Sequence, residues 1–416
     1  MNNTAKSPHP GLGFGAFVLM MAGFMALNGL AVDTMLPALP AMGDEMGVEN
    51  PNSRQWVITS YLLGFGIFQL IYGPLSDRFG RRPTLLSGVS IYAFFSLITA
   101  FAGSFETVVL SRFLQGAGSA ASRVLVIAIV RDCYSGRKMA KVMSLSFIIF
   151  LFVPILAPAL GQGVMLFVSW HWIFLGLAMF AISLTIWAWR CLPETLDREN
   201  RLPLSFARVY SAFLIVVTTR QSIGYSVAMM LMMATIFGYI NSAQQIFADT
   251  FKTPQLFTLY FALTALSMAI ASFLNSRIVE RLGTRRVSHT AVCVMLLVSL
   301  VHWAVAYTGY ETLTVFVLFQ SFSMFCFGLA GPNFGAMAME PVGNIAGTAS
   351  SVQGCITTVG AAILGYWVGQ SFDGTSLPFV SSYVLLLLFT IVVVVITEGR
   401  MFQPQQVSAE ASVPHE

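Results

Sequence analysis

The chain has 416 residues, 56% of them hydrophobic and only 10% charged, with a formal net charge of +4 and a mean hydropathy of +0.76. Soluble domains carry about 25% charged residues, so this composition excludes a soluble globular protein. The small positive charge gives no argument for nucleic-acid binding.

A bilayer core of about 30 Å needs about 20 helical residues. Apolar runs of that length predict spans in chain order at Phe14–Leu39, Trp56–Tyr72, Pro83–Phe101, Thr107–Val130, Met139–Val168 and Trp172–Cys191. Six more follow at Ser222–Phe247, Leu256–Leu274, Ser288–Tyr307, Leu313–Met339, Ile345–Val368 and Phe379–Ile396. The first run is too long for a signal-peptide core and carries Asp33, so it reads as an uncleaved first helix.

Orientation follows from the basic residues. One set of loops carries nearly all of them, from Arg78, Arg81 and Arg82 through Arg131, Arg137 and Lys138 to Arg285 and Arg286; the opposite loops hold only Arg54 and Lys252. The expected fold is an all-α integral membrane protein of 12 transmembrane helices, with both termini cytoplasmic. RFGRR at 78–82 is echoed by RLGTRR at 281–286, an offset of 203 residues that maps Asp77 onto Glu280. This echo predicts two pseudo-symmetric six-helix bundles, 14–196 and 221–400. They are flanked by a cytoplasmic N-terminus, 1–13, and a disordered tail, 401–416. The linker, 197–220, includes PLSFARVYSAFLIV, whose apolar residues share one helical face and suit a membrane surface.

Charged and polar residues inside spans mark function. Asp33 lies about seven residues, or 10 Å, from the outer end of its span, and Arg112 about five residues, or 8 Å, from the outer end of the fourth. Their similar depth suggests approach across a central cavity. Burial disfavours the charged form of a carboxyl and a nearby arginine favours it, so a change of access can load and release a proton at Asp33. The bland alternative is a static ion pair that orients two helices. Arg112, Gln115, Ser119 and Arg123 share one helix face, a polar stripe expected to line water. Asn28, Tyr61, Ser119, Arg123, Asn241, Gln244 and Asn333 are the candidate cavity residues, with interhelical packing the alternative for the uncharged ones. Pro154 and Pro158, four residues apart, remove backbone hydrogen bonds and predict a kinked fifth helix, with Gly161 in the same motif.

Three stretches carry a resemblance. GPLSDRFGRRP at 73–83 resembles the G-x-L-[SA]-D-R-x-G-R-R loop of the major facilitator superfamily, VLSRFLQGAGSAA at 109–121 its R-x-x-Q-G-x-G signature, and VPILAPALGQG at 153–163 a fifth-helix antiporter signature. The last departs from the fuller pattern, with Phe147 and Phe150 where glycines stand. AIVRDCYSG, SWHWIF, LPETL and AMEPVGNIAGTAS are similar to the bicyclomycin/chloramphenicol-resistance family of drug:proton antiporters. The resemblance implies a proton-driven exporter of small drug molecules in the bacterial inner membrane, with no cofactor beyond the proton gradient. It puts the membrane acid at Asp33 and the fourth-helix arginine at Arg112.

A cytoplasmic gate is expected from Gly73, Asp77, Arg78, Gly80, Arg81, Arg82 and Asp132, with Glu280 and Glu340 as second-half counterparts. Asp77 is expected to dock on the positive end of the eleventh helix, and Arg81 to pair with Asp132, each contact holding the outward-open state and breaking in the inward-open one. A monomer embedded in lipid is expected, acting on small molecules. A proton-coupled importer or uniporter is the alternative carrier. A membrane enzyme is disfavoured by scattered histidines, and ATP-driven transport by the lack of a phosphate-binding loop. No metal site is expected: the five cysteines show no C-x-x-C spacing.

Overall fold

The computed structural model describes residues 12–399. They form α1 (Phe14–Asp33), α2 (Leu39–Glu45), α3 (Trp56–Phe79), α4 (Arg81–Ala100), α5 (Phe105–Cys133), α6 (Gly136–Met165) and α7 (His171–Cys191). Then come α8 (Phe206–Thr218), α9 (Arg220–Gln245), α10 (Phe257–Leu282), α11 (Thr284–Tyr307), α12 (Leu313–Met339), α13 (Ala346–Gln370) and α14 (Leu377–Glu398). All except α2 and α8 have at least 20 residues. Eleven continuous stretches are long and apolar enough to cross a bilayer. One of them, Leu313–Gln370, contains both α12 and α13, joined by a short 3-10 turn at Glu340–Ile345. The expected tail from 401 lies outside the described residues.

Helix ends follow local chemistry. Ser104 caps α5 by accepting from the Thr107 amide at 3.2 Å, and Ser205 caps α8 by accepting from Arg208 at the same distance. Gly80 and Gly283 close α3 and α10 with φ of +106° and +80°, a backbone form that glycine adopts freely. That form lets α4 and α11 start one residue later.

α1 and α3 to α7 pack among themselves, as do α9 to α14. The two groups meet mainly where α3 lies on α13 and α6 on α10. Small residues permit the tight crossings. A methyl on Gly64 would overlap the Phe113 carbonyl, and one on Gly116 the Tyr61 carbonyl, so α3 and α5 touch backbone to backbone. A methyl on Gly118 would likewise collide with α4 at Gly88 and Tyr92. The amphipathic α8 forms as expected. Val216 packs against Val342, Ala349 and Val352, while Leu204 and Val209 face Leu70 and Ile71 of α3.

α6 runs through Pro154 and Pro158 as one 30-residue helix. The proline region also makes a close approach. Gly161 lies against the Thr34 carbonyl, where any Cβ would overlap. This contact pins the end of α1, and with it Asp33, to α6.

Candidate functional site

The two helix groups are joined very differently at their two ends. On the face away from the arginine-rich loops, uncharged amides form a lattice. Gln55 donates to the side chain of Gln245 at 2.8 Å and to the Gly369 carbonyl at 3.0 Å. Gln245 donates to Asn52 at 2.7 Å, and Gln370 donates to the Asn52 carbonyl at 2.7 Å. Asn52 in turn donates to the carbonyls of Gln370 and Phe372. Thr258 of α10 donates to Gln162 of α6 at 2.5 Å, and the Trp56 ring lies 4.5 Å from Tyr366. Gln55 is 1% exposed and Gln245 4%, so this face is shut.

The basic face is held by ions, each set within its own helix group. Arg81 donates to Asp77 at 2.6 Å, to Asp132 at 3.1 Å and to the Ser76 hydroxyl at 2.6 Å. Glu194 accepts from the Arg81 amide at 2.8 Å, and Asp132 also accepts from Thr195. The Leu202 amide donates to the Asp77 carbonyl, tying the linker to this corner. Arg82 donates to the Trp189 carbonyl, while Arg78 points to solvent. In the second half Arg285 pairs with Glu398 at 2.9 Å and Glu340 at 3.5 Å, and Gln221 donates to Glu340 at 2.8 Å. Glu280 is exposed and makes none of these contacts.

The docking of Asp77 on α13, expected of the outward-open state, is not formed in this conformation, whereas the Arg81–Asp132 pair, expected to break together with it, is formed. The Asp77 carboxylate bonds Arg81 on its own side, although Asp77, Gly347 and Thr348 line the same cavity. Gly73 sits nearby on the α3–α13 crossing, facing Ser351.

Deep in the first half, Arg112 is fully buried. It donates to the carbonyls of Val57 and Ala31 at 3.0 Å each and to Gln115 at 2.6 Å. Its guanidinium lies 4.4 Å from the Tyr61 ring centre and 5.6 Å from that of Phe174, within cation–π range. Gln115 passes the chain on to Ser96 at 2.6 Å. Arg112 thus ties α1, α3 and α5 together and forms no ion pair with Asp33. The Arg112 fork ends on two carbonyls and Gln115, the Ala31 carbonyl lying two residues from Asp33. Asp33 is 4% exposed and has neither a hydrogen bond nor an ion pair among the described residues.

The remaining candidates divide. Tyr61 donates to Asn28 at 3.0 Å, a bridge from α3 to α1. Ser119 is fully buried, so the upper part of the α5 stripe packs inside its half rather than lining water. Arg123, lower on the stripe, lines a cavity of about 230 Å³ between the halves on the basic face, with Gln69, Asp77, Ser351 and Gly354. Asn241 is 1% exposed, with both amide atoms lacking a hydrogen bond. It lies one helical turn below Gln245, and Gln244 beside it is half-buried. Asn333 does not face this cavity: it exchanges reciprocal amide bonds of 3.1 and 3.0 Å with Asn275, joining α10 to α12.

Sequence reasoning missed Gln55, Asn52 and Gln370, because amides at span ends look like ordinary surface. It also missed Glu194 and Glu398 as latch partners, although the two glutamates repeat at nearly the offset of the arginine loops. His302, read as scattered, pairs with Glu311 at 2.5 Å, and Ser376 donates to the same carboxylate.

Residues 12–365 match the Major Facilitator Superfamily. The chain is 29% identical over 371 residues to a bicyclomycin resistance protein homolog of Haemophilus influenzae, covering 87% of this chain and 91% of the relative. It is 34% identical over 273 residues to a chloramphenicol resistance protein of Pseudomonas aeruginosa, covering 65% of this chain and 63% of that one. In fold it is similar to a partially occluded inward-open xylose transporter of E. coli, with a TM-score of 0.72, 12% identity, and coverage of 94% of this chain and all of that one. With its tandem arginine loops, small-residue crossings and paired helix groups, the chain belongs to the Major Facilitator Superfamily of membrane transporters.

Proposed function

We propose that this protein is a proton-coupled exporter of small amphipathic molecules, antibiotics among them, working by alternating access in a bacterial inner membrane. Twelve crossings, with both termini and the basic loops in the cytoplasm, satisfy the positive-inside bias. The halves 14–196 and 221–400 move about the linker 197–220, and a single chain suffices for the cycle.

The observation that carries this reading is Asp33: a buried acid inside a span, without a counter-charge, in a conformation sealed by amides on one face and holding a cavity on the other. Ionising it there would bury an unpaired charge, which is costly. When the halves rock and the outer face opens, water or Arg112 can compensate the carboxylate, and the proton exchanges. Arg112 reports the state through the α1 backbone, since it holds the Ala31 carbonyl two residues from Asp33. The arginine–acid sets at Arg81 and Arg285 keep the cytoplasmic corners of each half rigid, and Asp77 can trade Arg81 for the α13 terminus when that side closes. Resistance proteins for bicyclomycin and chloramphenicol among the relatives support the direction and the substrate class.

The test is chloramphenicol movement in proteoliposomes with an imposed proton gradient. Gradient-driven export that collapses with an uncoupler is expected, and Asp33→Asn should abolish it. Unimpaired active export by that variant sinks the role of Asp33. Gradient-driven uptake would select the importer.

A further inference from the structure

We propose that Arg123 makes the cytoplasmic cavity a site for an anionic oxygen group (carboxylate, sulfonate or phosphate ester) carried by the transported molecule. This rests on the transport reading above and specifies its substrate.

Arg123 lies in α5, ten residues before its last residue, Cys133, or about 15 Å along the axis. That is farther than an arginine side chain extends, so it does not reach the end of its own helix. The side chain is exposed to the cavity and has no hydrogen bond or ion pair among the described residues. The acids that line the same cavity are Asp77 and Asp132, and both are engaged by Arg81, with Asp132 also taken by Thr195. Three arginines therefore face two aspartates, and Arg123 is the deep one left over.

The opposite wall is the beginning of α13. It offers Gly347, Thr348, Ser351 and Gly354, with the Thr348 and Ser351 hydroxyls as donors and no acid, while the Ser350 hydroxyl donates to the Gly347 carbonyl at 2.9 Å. It is also the positive end of a 25-residue helix, which favours an anion. A cation on one wall and a helix start on the other converge on a space of about 230 Å³. At about 30 Å³ per water, that space takes an acid group with a small ring. The planar guanidinium fork fits such a group with two parallel bonds. An anion entering the cavity would replace water at the guanidinium with a charge-assisted pair.

The test uses the full chain in phosphatidylcholine nanodiscs, with 2-naphthoate and its neutral isostere 2-naphthamide as probes. The wild type should bind naphthoate at least tenfold tighter than naphthamide. Arg123→Gln should erase that preference while changing naphthamide affinity less than twofold, and Arg123→Lys should keep part of it. Equal affinities for the two probes in the wild type overturn the proposal without relying on any variant. So does a parallel loss of both probes in Arg123→Gln. If exchanging part of the lipid for phosphatidylglycerol abolishes naphthoate binding, the site belongs to a lipid headgroup and the substrate assignment falls. Failure of gradient-driven export of both chloramphenicol and naphthoate by the wild type would overturn the transport reading instead, independently of the paired affinities.

Discussion

Arg112 shows how one side chain can organise a bundle without an ion pair. Its three hydrogen bonds end on two backbone carbonyls and an amide, all buried. Hydrogen bonds from a charged group are worth about 1.5–3 kcal/mol each, and truncation would leave those acceptors unsatisfied. Arg112→Ala should therefore destabilise the protein by about 3–5 kcal/mol, read as a lowered thermal unfolding midpoint in detergent. Arg112→Lys cannot span three acceptors in a plane and should recover only part of the loss. Gly80 is a second sensitive point. At φ +106° a side chain is strained, and a Cβ would also enter the Glu194 carboxylate. Gly80→Ala should cost about 1–2 kcal/mol and loosen Arg81 from Glu194. At this scale the sequence revealed which residues were unusual but not their partners. Depth along a helix can be counted from its ends, which put Asp33 and Arg112 level. The direction in which each side chain points depends on packing against α1, α3 and α7, which counting does not supply.

Among the elements, α6 illustrates how a motif can act through what it lacks. Gly161 allows the α1 carbonyl at Thr34 to touch the helix, whereas Gly163, two residues on, faces open space. Gly161→Ala should displace the end of α1 and cut transport at least tenfold, while Gly163→Ala should leave it within twofold. Matched export assays on the two variants decide this, and equal effects would show that glycine content rather than contact matters. The spans were readable because twenty apolar residues in a row have few other uses. α8 was readable because its apolar residues fall on one face. Pro154 and Pro158 sit within a helix that is continuous from Gly136 to Met165. Proline removes a donor, and neighbouring helices decide whether the axis bends. For Asn333 the packing alternative describes what is seen. An amide inside a span signals a polar partner, and here that partner is Asn275 rather than a cavity.

At the scale of the whole molecule, the two closures differ in kind. The sealed face uses amides that cross between the halves, and the basic face uses ion sets that stay within each half. A cysteine pair at Gln55 and Gln245 should therefore cross-link readily and halt transport, with activity returning on reduction. Slow cross-linking in the resting protein would mean that this face is seldom shut. Raising the salt to about 1 M, where the Debye length is about 3 Å, should leave that cross-linking rate unchanged. Contacts at Arg81 and Arg285, which are partly exposed, should weaken under the same change. The duplicated arginine loops announced the two halves in the sequence. The amide lattice did not announce itself, because neutral side chains at helix ends carry no periodic or charge signal.

That lattice has a consequence for the environment the protein serves. Glutamine and asparagine keep the same hydrogen-bonding groups in acid or alkali and in brine or fresh water. In the orientation proposed above, the outward door thus opens and shuts with much the same effort whatever the surroundings contain, and the adjustable, ionic fastenings lie on the side where the cell sets the conditions.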